Sequence, residues 1–175
     1  RKKIREKTEE LLEFCGLIDF RRRTVRKLSG GMKRKLMVCR ALLTEPEILL
    51  LDEPTAGMDA LSRRQMWNLL RQLNDHNLTI LLTTHYMEEA ESLCQRVAFM
   101  DRGRLEEVSE PKKMVEQLGH FAVDEMTSDG LKSHYFKNRE DAIAHLSRLT
   151  GQTALRNTTL EDVFVARAEQ KERQR

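Results

Sequence analysis

Long apolar runs are missing from this 175-residue sequence: none approaches the roughly 18–20 residues that cross a bilayer as a helix. A helical membrane span is therefore excluded within these residues. The first ten residues are almost all charged and do not read as a secretion signal. Cysteine is scarce. Cys15, Cys39 and Cys94 are odd in number, widely spaced and form no CxxC pair, which argues against a disulfide framework and against a thiolate zinc site. A reduced, cytosolic compartment is the simplest reading. Charge of one sign is scarce too: the formal net charge of +3 is too small to argue for nucleic acid. The sequence also lacks a phosphate-cradling loop. None of its eight glycines has another glycine five residues later, so G-x-x-x-x-G-K-[ST] does not occur. Repeats and low-complexity tracts are absent as well.

What is present alternates between helical and extended patterns. Residues 3–15 read as an amphipathic helix, with Ile4, Leu11, Leu12 and Cys15 on one side and Gly16 to end it. "RRRTVRK" (Arg21 to Lys27) is a basic, solvated loop. Ser29 suits a helix N-cap, and Met32, Leu36, Cys39, Leu42 and Leu43 give helical spacing up to Pro46. "ILLL" (Ile48 to Leu51) and "TILLTT" (Thr79 to Thr84) are continuous apolar runs, the pattern of strands covered on both faces in a parallel sheet. Asp59 can cap the helix between them, which carries Leu61, Met66, Trp67, Leu70 and Leu73. "YMEEAESLC" is a short helix and "RVAFM" (Arg96 to Met100) a third strand, followed by a tight turn at Gly103. The alternation predicts a parallel α/β sheet with right-handed crossovers. Beyond Pro111 the pattern predicts a helix with proline in its first turn, an undefined stretch from His120 to Lys137, and helices over Arg139–Leu149 and from about Thr159. "TLED" (Thr159 to Asp162) has the form of a capping box, and the polar "EQKERQR" end is expected to fray.

Three stretches carry chemistry. In "LSGG" a serine and two glycines open a helix, where backbone N–H groups and the helix dipole favour an anion and glycine lets a phosphate approach. A capped helix with a plain glycine start is the bland alternative. In "ILLLDEP" a buried strand ends in Asp52 and Glu53, at the carboxyl end of a parallel sheet, where ligands bind in such folds. One carboxylate is suited to holding Mg²⁺ through water and the next to polarising an attacking water. An exposed acidic turn is the ordinary alternative. His85 closes the second strand beside those acids, in reach of a γ-phosphate or an in-line water. His76, His120, His134 and His145 have no such placement and read as surface residues.

The order of these motifs resembles the ATP-binding cassette (ABC) ATPases over about residues 1–120. In that family "LSGG" is the signature motif, "ILLLDE" the Walker B strand, "AGMD" the D-loop, and a histidine at the position of His85 the switch histidine. "SGGMKRKL", "DEPTAGMD", "TTHYMEEAE" and the tail "TTLEDVFV" (Thr158 to Val165) look most like ATPases of bacterial and archaeal exporters of drugs, lipids or oligosaccharides. The resemblance implies an α/β, partial P-loop NTPase fold: a parallel sheet with flanking helices and a small C-terminal accessory region. It implies ATP and Mg²⁺ as cofactors. Glu53 and His85 would be catalytic, Asp52 would hold Mg²⁺ through water, and Leu28, Ser29, Gly30, Gly31, Met32 and Asp59 would contact nucleotide. Met32 stands where many relatives have glutamine, which puts one polar contact in doubt, and Ala60 stands where proline is frequent.

In the family two subunits pair head to tail, with each ATP between the P-loop of one and the signature of the other. Ser29, Gly30, Gly31 and Asp59 would then serve a partner's ATP, and Asp52, Glu53 and His85 an ATP held by a P-loop preceding Arg1. The expected organisation is the end of a helical subdomain at 1–28, the signature-to-histidine part of the ATPase domain at 29–119, and an accessory tail at 120–175. The expected partners are a second ABC ATPase subunit, as homo- or heterodimer, and transmembrane permease subunits, with no nucleic acid. The expected place is the inner face of the cell membrane, on the cytoplasmic side. The chain alone is expected to turn ATP over negligibly and to expose apolar surface on its sheet. Two other readings remain: a non-catalytic regulatory or half-site module derived from such an ATPase, and a DNA-repair-type ATPase head. The second requires a coiled coil before the signature, and residues 1–28 show no sustained heptad.

Overall fold

The structure, a computed structural model, describes residues 2–173 and divides into two units, one reaching His85 and one beginning at Tyr86. No described helix is long and apolar enough to cross a membrane.

The first unit runs α1 (Lys2–Phe14), two single 3₁₀ turns (Ile18–Phe20 and Val25–Lys27), α2 (Gly30–Leu42), β1 (Ile48–Asp52), α3 (Ala60–Asp75) and β2 (Thr79–Thr83). Ser29 caps α2, its hydroxyl accepting the Met32 N–H at 3.2 Å. The helix stops at Leu42, short of Pro46; a turn through Glu45, at φ 50°, releases the chain before the proline that cannot continue it. Asp59 caps α3, accepting from the Ser62 N–H at 2.9 Å and the Ser62 hydroxyl at 2.6 Å. These two hydrogen bonds, the hydroxyl's foremost, hold its carboxyl below the usual carboxylate range. Met66, Trp67, Leu69, Leu70 and Leu73 form the buried stripe of α3.

Strands β1 and β2 pair in parallel from Ile48↔Thr79 to Asp52↔Thr83. Helices cover only one face of this pair, where Leu49 is 5% exposed. On the other face Ile48, Leu50 and Leu81 are 59%, 70% and 65% exposed. The apolar runs predicted strands covered on both sides; among the described residues one side is open.

The second unit runs α4 (Met87–Leu93), β3 (Val97–Asp101), β4 (Arg104–Ser109), α5 (Pro111–Leu118), β5 (Phe121–Thr127), β6 (Gly130–Phe136), α6 (Arg139–Leu146), β7 (Thr153–Asn157) and α7 (Leu160–Arg173). Here the sequence reading needs correction. The third strand does not extend the parallel pair: β3 pairs antiparallel with β4 through a two-residue turn, Arg102 at φ 48° and Gly103 at φ 76°. The undefined stretch from His120 to Lys137 is a hairpin, and with β7 it makes an antiparallel sheet in the order β6-β5-β7. Gly119 is required where α5 turns into this sheet: its φ is 136°, and a Cβ there would lie 2.8 Å from the Phe136 carbonyl oxygen.

The two faces of the three-stranded sheet differ. One carries Val123, His134 and Phe136 against α6, whose Ala142 is buried. His134 and His145, read as surface residues, are half-buried there with ring centroids 4.6 Å apart. The other face carries Asp124 and Arg156. Arg156 bonds Asp124 at 2.6 Å and Asp162 at 2.7 Å, joining the sheet to the first turn of α7. Asp162 also accepts the Thr159 N–H at 2.8 Å, the return half of the expected capping box. Ala90, Phe99, Met114, Leu160 and Val163 form this unit's apolar core. The polar end of α7 does not fray at Lys171, which is bonded to Asp101 at 3.0 Å and to Glu106; residues 174 and 175 lie outside the described residues.

Candidate functional site

Every residue singled out from the sequence lies in the first unit, and the parallel register assembles one group of them. Asp52 and Thr83 are partners across β1 and β2, so their side chains share a face. The Thr83 hydroxyl donates to Asp52 Oδ1 at 2.5 Å. One residue further, the Glu53 N–H donates to the Thr83 carbonyl at 3.1 Å and lies 3.3 Å from its hydroxyl oxygen. The backbone of Glu53 is thereby clamped to β2. It adopts φ 47°, a left-handed conformation that an L-residue takes at a cost of about 1–3 kcal/mol.

That turn directs the Glu53 side chain to the end of β2. Glu53 Oε2 lies 2.7 Å from His85 Nδ1, an ion pair when the imidazole is protonated. The same oxygen is shut off from solvent and receives no well-aligned hydrogen bond. His85 itself is exposed, so the pair opens to one side. A carboxylate and an imidazole in contact form an acid–base couple able to hold and polarise a water on its open side.

The second group gathers at two helix starts. Gly30 and Gly31 open α2, and a Cβ on Gly30 would meet nothing within 4 Å, so a phosphate has room there. A Cβ on Gly31 would lie 3.1 Å from the Ser62 hydroxyl, the group that bonds Asp59. The Ser29–Gly31 turn and the Asp59 cap are thus neighbours. Leu28 is 8% exposed; its side chain belongs to the core, leaving only its backbone for a ligand. Met32 is half-buried in the first turn of α2. The structure brings Asp52, Glu53 and His85 together in one cluster and Ser29, Gly30, Gly31 and Asp59 in another. Thr83 was missed by the sequence reading. Its only signal is register, which appears once the two strands are aligned from Ile48 and Thr79.

Residues 2–56 match the ABC transporter family model. Over that stretch the chain is similar to the ABC transporter family. Among curated relatives, the Nod factor export ATP-binding protein I of Burkholderia pseudomallei (strain K96243) is 39% identical, over 89% of this chain and 58% of the relative. The linearmycin resistance ATP-binding protein LnrL of Bacillus subtilis (strain 168) is 32% identical, over 83% of this chain and 47% of the relative. The chain spans about half the length of the curated relatives it matches. An ATP-binding cassette of an ABC transporter solved in its ADP conformation superposes with a TM-score of 0.63, over 67% of this chain and 46% of that one, at 24% identity. That likeness supports the partial ABC cassette fold.

Proposed function

We propose that this chain is the signature- and Walker-B-bearing part of an ABC exporter's ATP-binding subunit, acting with a second such subunit and with membrane permease subunits at the inner face of the cell membrane. The observation that carries the reading is the Asp52–Thr83 and Glu53–His85 pairing at the carboxyl ends of two parallel strands. Export is read from the relatives, whose names specify Nod factor export and linearmycin resistance.

The residues present fit part of a nucleotide site. The open space at Gly30 and the α2 N-terminus suit a γ-phosphate presented by a partner. The Asp52 carboxylate, fixed by the Thr83 hydroxyl, suits a water of Mg²⁺ hydration. No residues of this 175-residue sequence form the cradle for the phosphates beside Asp52 and Glu53. Bound Mg²⁺ would supply charge neutralisation at the transferring phosphoryl group. Glu53 would hold the attacking water and take its proton at a carboxylate oxygen, while His85 Nδ1 orients that carboxylate. Ser29, Gly30 and Asp59 would complete the site of the other subunit.

Phosphate release tests the reading. The chain alone should hydrolyse Mg-ATP at the level of buffer. Mixed with a P-loop-bearing ABC cassette whose own signature serine is replaced, it should restore turnover. Ser29→Arg in this chain should abolish that rescue and Glu53→Gln should leave it intact, because the hydrolysing carboxylate at the rescued site belongs to the other cassette. Glu53-dependent hydrolysis by the pure chain would overturn the assignment. So would rescue that ignores Ser29.

A further inference from the structure

The basic stretch from Arg21 to Lys27 takes no part in the nucleotide chemistry, and an unused hydroxyl stands at its centre. Thr24 lies between the two 3₁₀ turns with extended backbone, φ −68° and ψ 142°. It is exposed, and its hydroxyl makes no hydrogen bond among the described residues. Other hydroxyls of this unit are engaged. Thr8 donates to the Ile4 carbonyl at 2.7 Å, Thr44 to the Ala41 carbonyl at 3.1 Å and Ser62 to Asp59 at 2.6 Å. Arg21, Arg22 and Arg23 directly precede Thr24, and Val25, 55% exposed, follows it. The Arg23 guanidinium lies over the Phe20 ring, 4.9 Å from its centroid. On α1, Lys2, Arg5 and Lys7 each face a glutamate one turn on. Among the described residues Arg21, Arg22, Arg26 and Lys27 meet no carboxylate. A free hydroxyl is thus set among cations that nothing neutralises.

We propose that Thr24 is a phosphorylation site for a kinase that recognises arginine, placed just before the signature helix. Guanidinium groups two and three residues before the acceptor suit carboxylates lining a kinase's substrate groove, and Val25 suits an apolar pocket for the residue after it. Presentation costs little. Every residue from 21 to 27 is exposed, so no apolar core opens. Around Thr24 only two backbone bonds must break to extend the segment: Lys27 N–H to the Thr24 carbonyl at 2.9 Å and Leu28 N–H to the Val25 carbonyl at 3.2 Å. In the transfer, Thr24 Oγ1 bonds the γ-phosphorus of ATP and the bond from that phosphorus to the β–γ bridging oxygen breaks. ADP leaves with that electron pair, and the hydroxyl proton passes to the kinase's carboxylate base. The product places about −1.5 to −2 of charge among the five cations of the stretch. Thr24 is five residues from Ser29, a chain reach of at most about 18 Å. At ~0.01 M ionic strength the Debye length is about 30 Å, and the new charge opposes a partner's γ-phosphate at the α2 start. This consequence rests on the signature role proposed above; the site itself does not.

The experiment incubates the whole folded chain with Mg-ATP and the catalytic subunit of cyclic-AMP-dependent protein kinase, an arginine-directed enzyme, and maps the product by mass spectrometry. The expected result is one phosphoryl group, about 80 Da, on the peptide that holds Thr24, with Thr8 and Ser62 unlabelled. Thr24→Val should take up none, and Thr24→Ser should restore it. Replacing Arg21 and Arg22 together by alanine should slow labelling by about tenfold or more. In the signature-rescue assay at low salt, the phosphorylated chain should lose about half of its rescue or more, and added salt should return it. The site is overturned if the folded chain takes up no phosphate, if the phosphate sits on another residue, or if the two arginines make no difference. Full rescue by the phosphorylated chain overturns the effect on the signature and leaves the site standing. A labelled Thr24 in a chain that gives no rescue even unmodified supports the site and overturns the signature role instead.

Discussion

Truncating Leu160 to alanine tests whether the last helix is part of the second unit's core or a tail laid over it. Leu160 is 0% exposed and packs with Ala90, Phe99, Met114 and Val163. Three carbons are removed. At about 0.8 kcal/mol per buried methylene the transfer loss is about 2.4 kcal/mol. If about 60 Å³ of the vacated space stays open, a further 1.5 kcal/mol or so is lost at about 24 cal/mol per Å³. The sum, about 4 kcal/mol, is a large fraction of the ~5–10 kcal/mol typical of a domain this small. With a urea slope of about 1.5 kcal/mol/M, the unfolding midpoint of the unit should fall by about 2.5 M.

The assay is a urea titration followed by far-ultraviolet circular dichroism and by amide exchange of β5, whose Ala122 and Val123 are fully buried. Leu160→Met nearly conserves volume and should cost under about 1.5 kcal/mol, which separates cavity formation from mere substitution. A midpoint shift below about 0.5 M for Leu160→Ala would refute the reasoning, because a site that can collapse so completely is not packed as described.

Two further outcomes concern the accessory sheet. Arg156→Met leaves Asp124 and Asp162 facing each other without the guanidinium they share; because Arg156 is about one-third exposed, the loss should be about 2 kcal/mol, below the 3–5 kcal/mol of a fully buried pair, and urea melts read it directly. Burial, then the neighbouring His145 and Lys132 charges, holds the His134 imidazole below its usual range, with Glu125 opposing. The folded state therefore binds the His134 proton less readily than the unfolded chain. This contribution to stability is complete above about pH 6.5 and is lost as pH falls below it, and His134→Phe should flatten the melting-point-versus-pH curve between about pH 5 and 7.

The first unit was legible because each of its elements repeats one simple rule. Ser29 and Asp59 mark helix starts, Met66, Leu70 and Leu73 keep helical spacing, and Ile48–Leu51 is a continuous apolar strand. The second unit hid its sheet because its strands do not alternate cleanly. Asp124, Glu125, Lys132 and Ser133 interrupt the apolar positions, and Asp124 is tolerated inside only because Arg156, 32 residues away, meets it. No local window contains both partners. β4 was hidden for a similar reason: "RLEEVS" is mostly polar, and its partner is fixed by the Arg102–Gly103 turn rather than by its own pattern. At the candidate site the residue types were readable. The Thr83 clamp and the Glu53 backbone conformation were not, since both arise from pairing between strands.

That conformation supplies a test of how the site is held. At φ 47° a side chain is strained, and glycine is not. Elsewhere in a strand or helix, replacing alanine by glycine costs about 0.5–1 kcal/mol. At position 53 the order should invert. Glu53→Gly and Glu53→Ala both lose the His85 contact, so their difference isolates the backbone. Glu53→Gly should be more stable by about 1 kcal/mol, seen as the higher urea midpoint. The inversion depends on the clamp, the two contacts from the Glu53 N–H to Thr83. Thr83→Val removes the hydroxyl contact and the Asp52 bond while keeping the carbonyl contact, so the inversion should shrink without disappearing. If alanine and glycine are equivalent at 53, the strand pair tolerates another conformation there, and the Glu53 carboxylate is not held against His85 by the backbone.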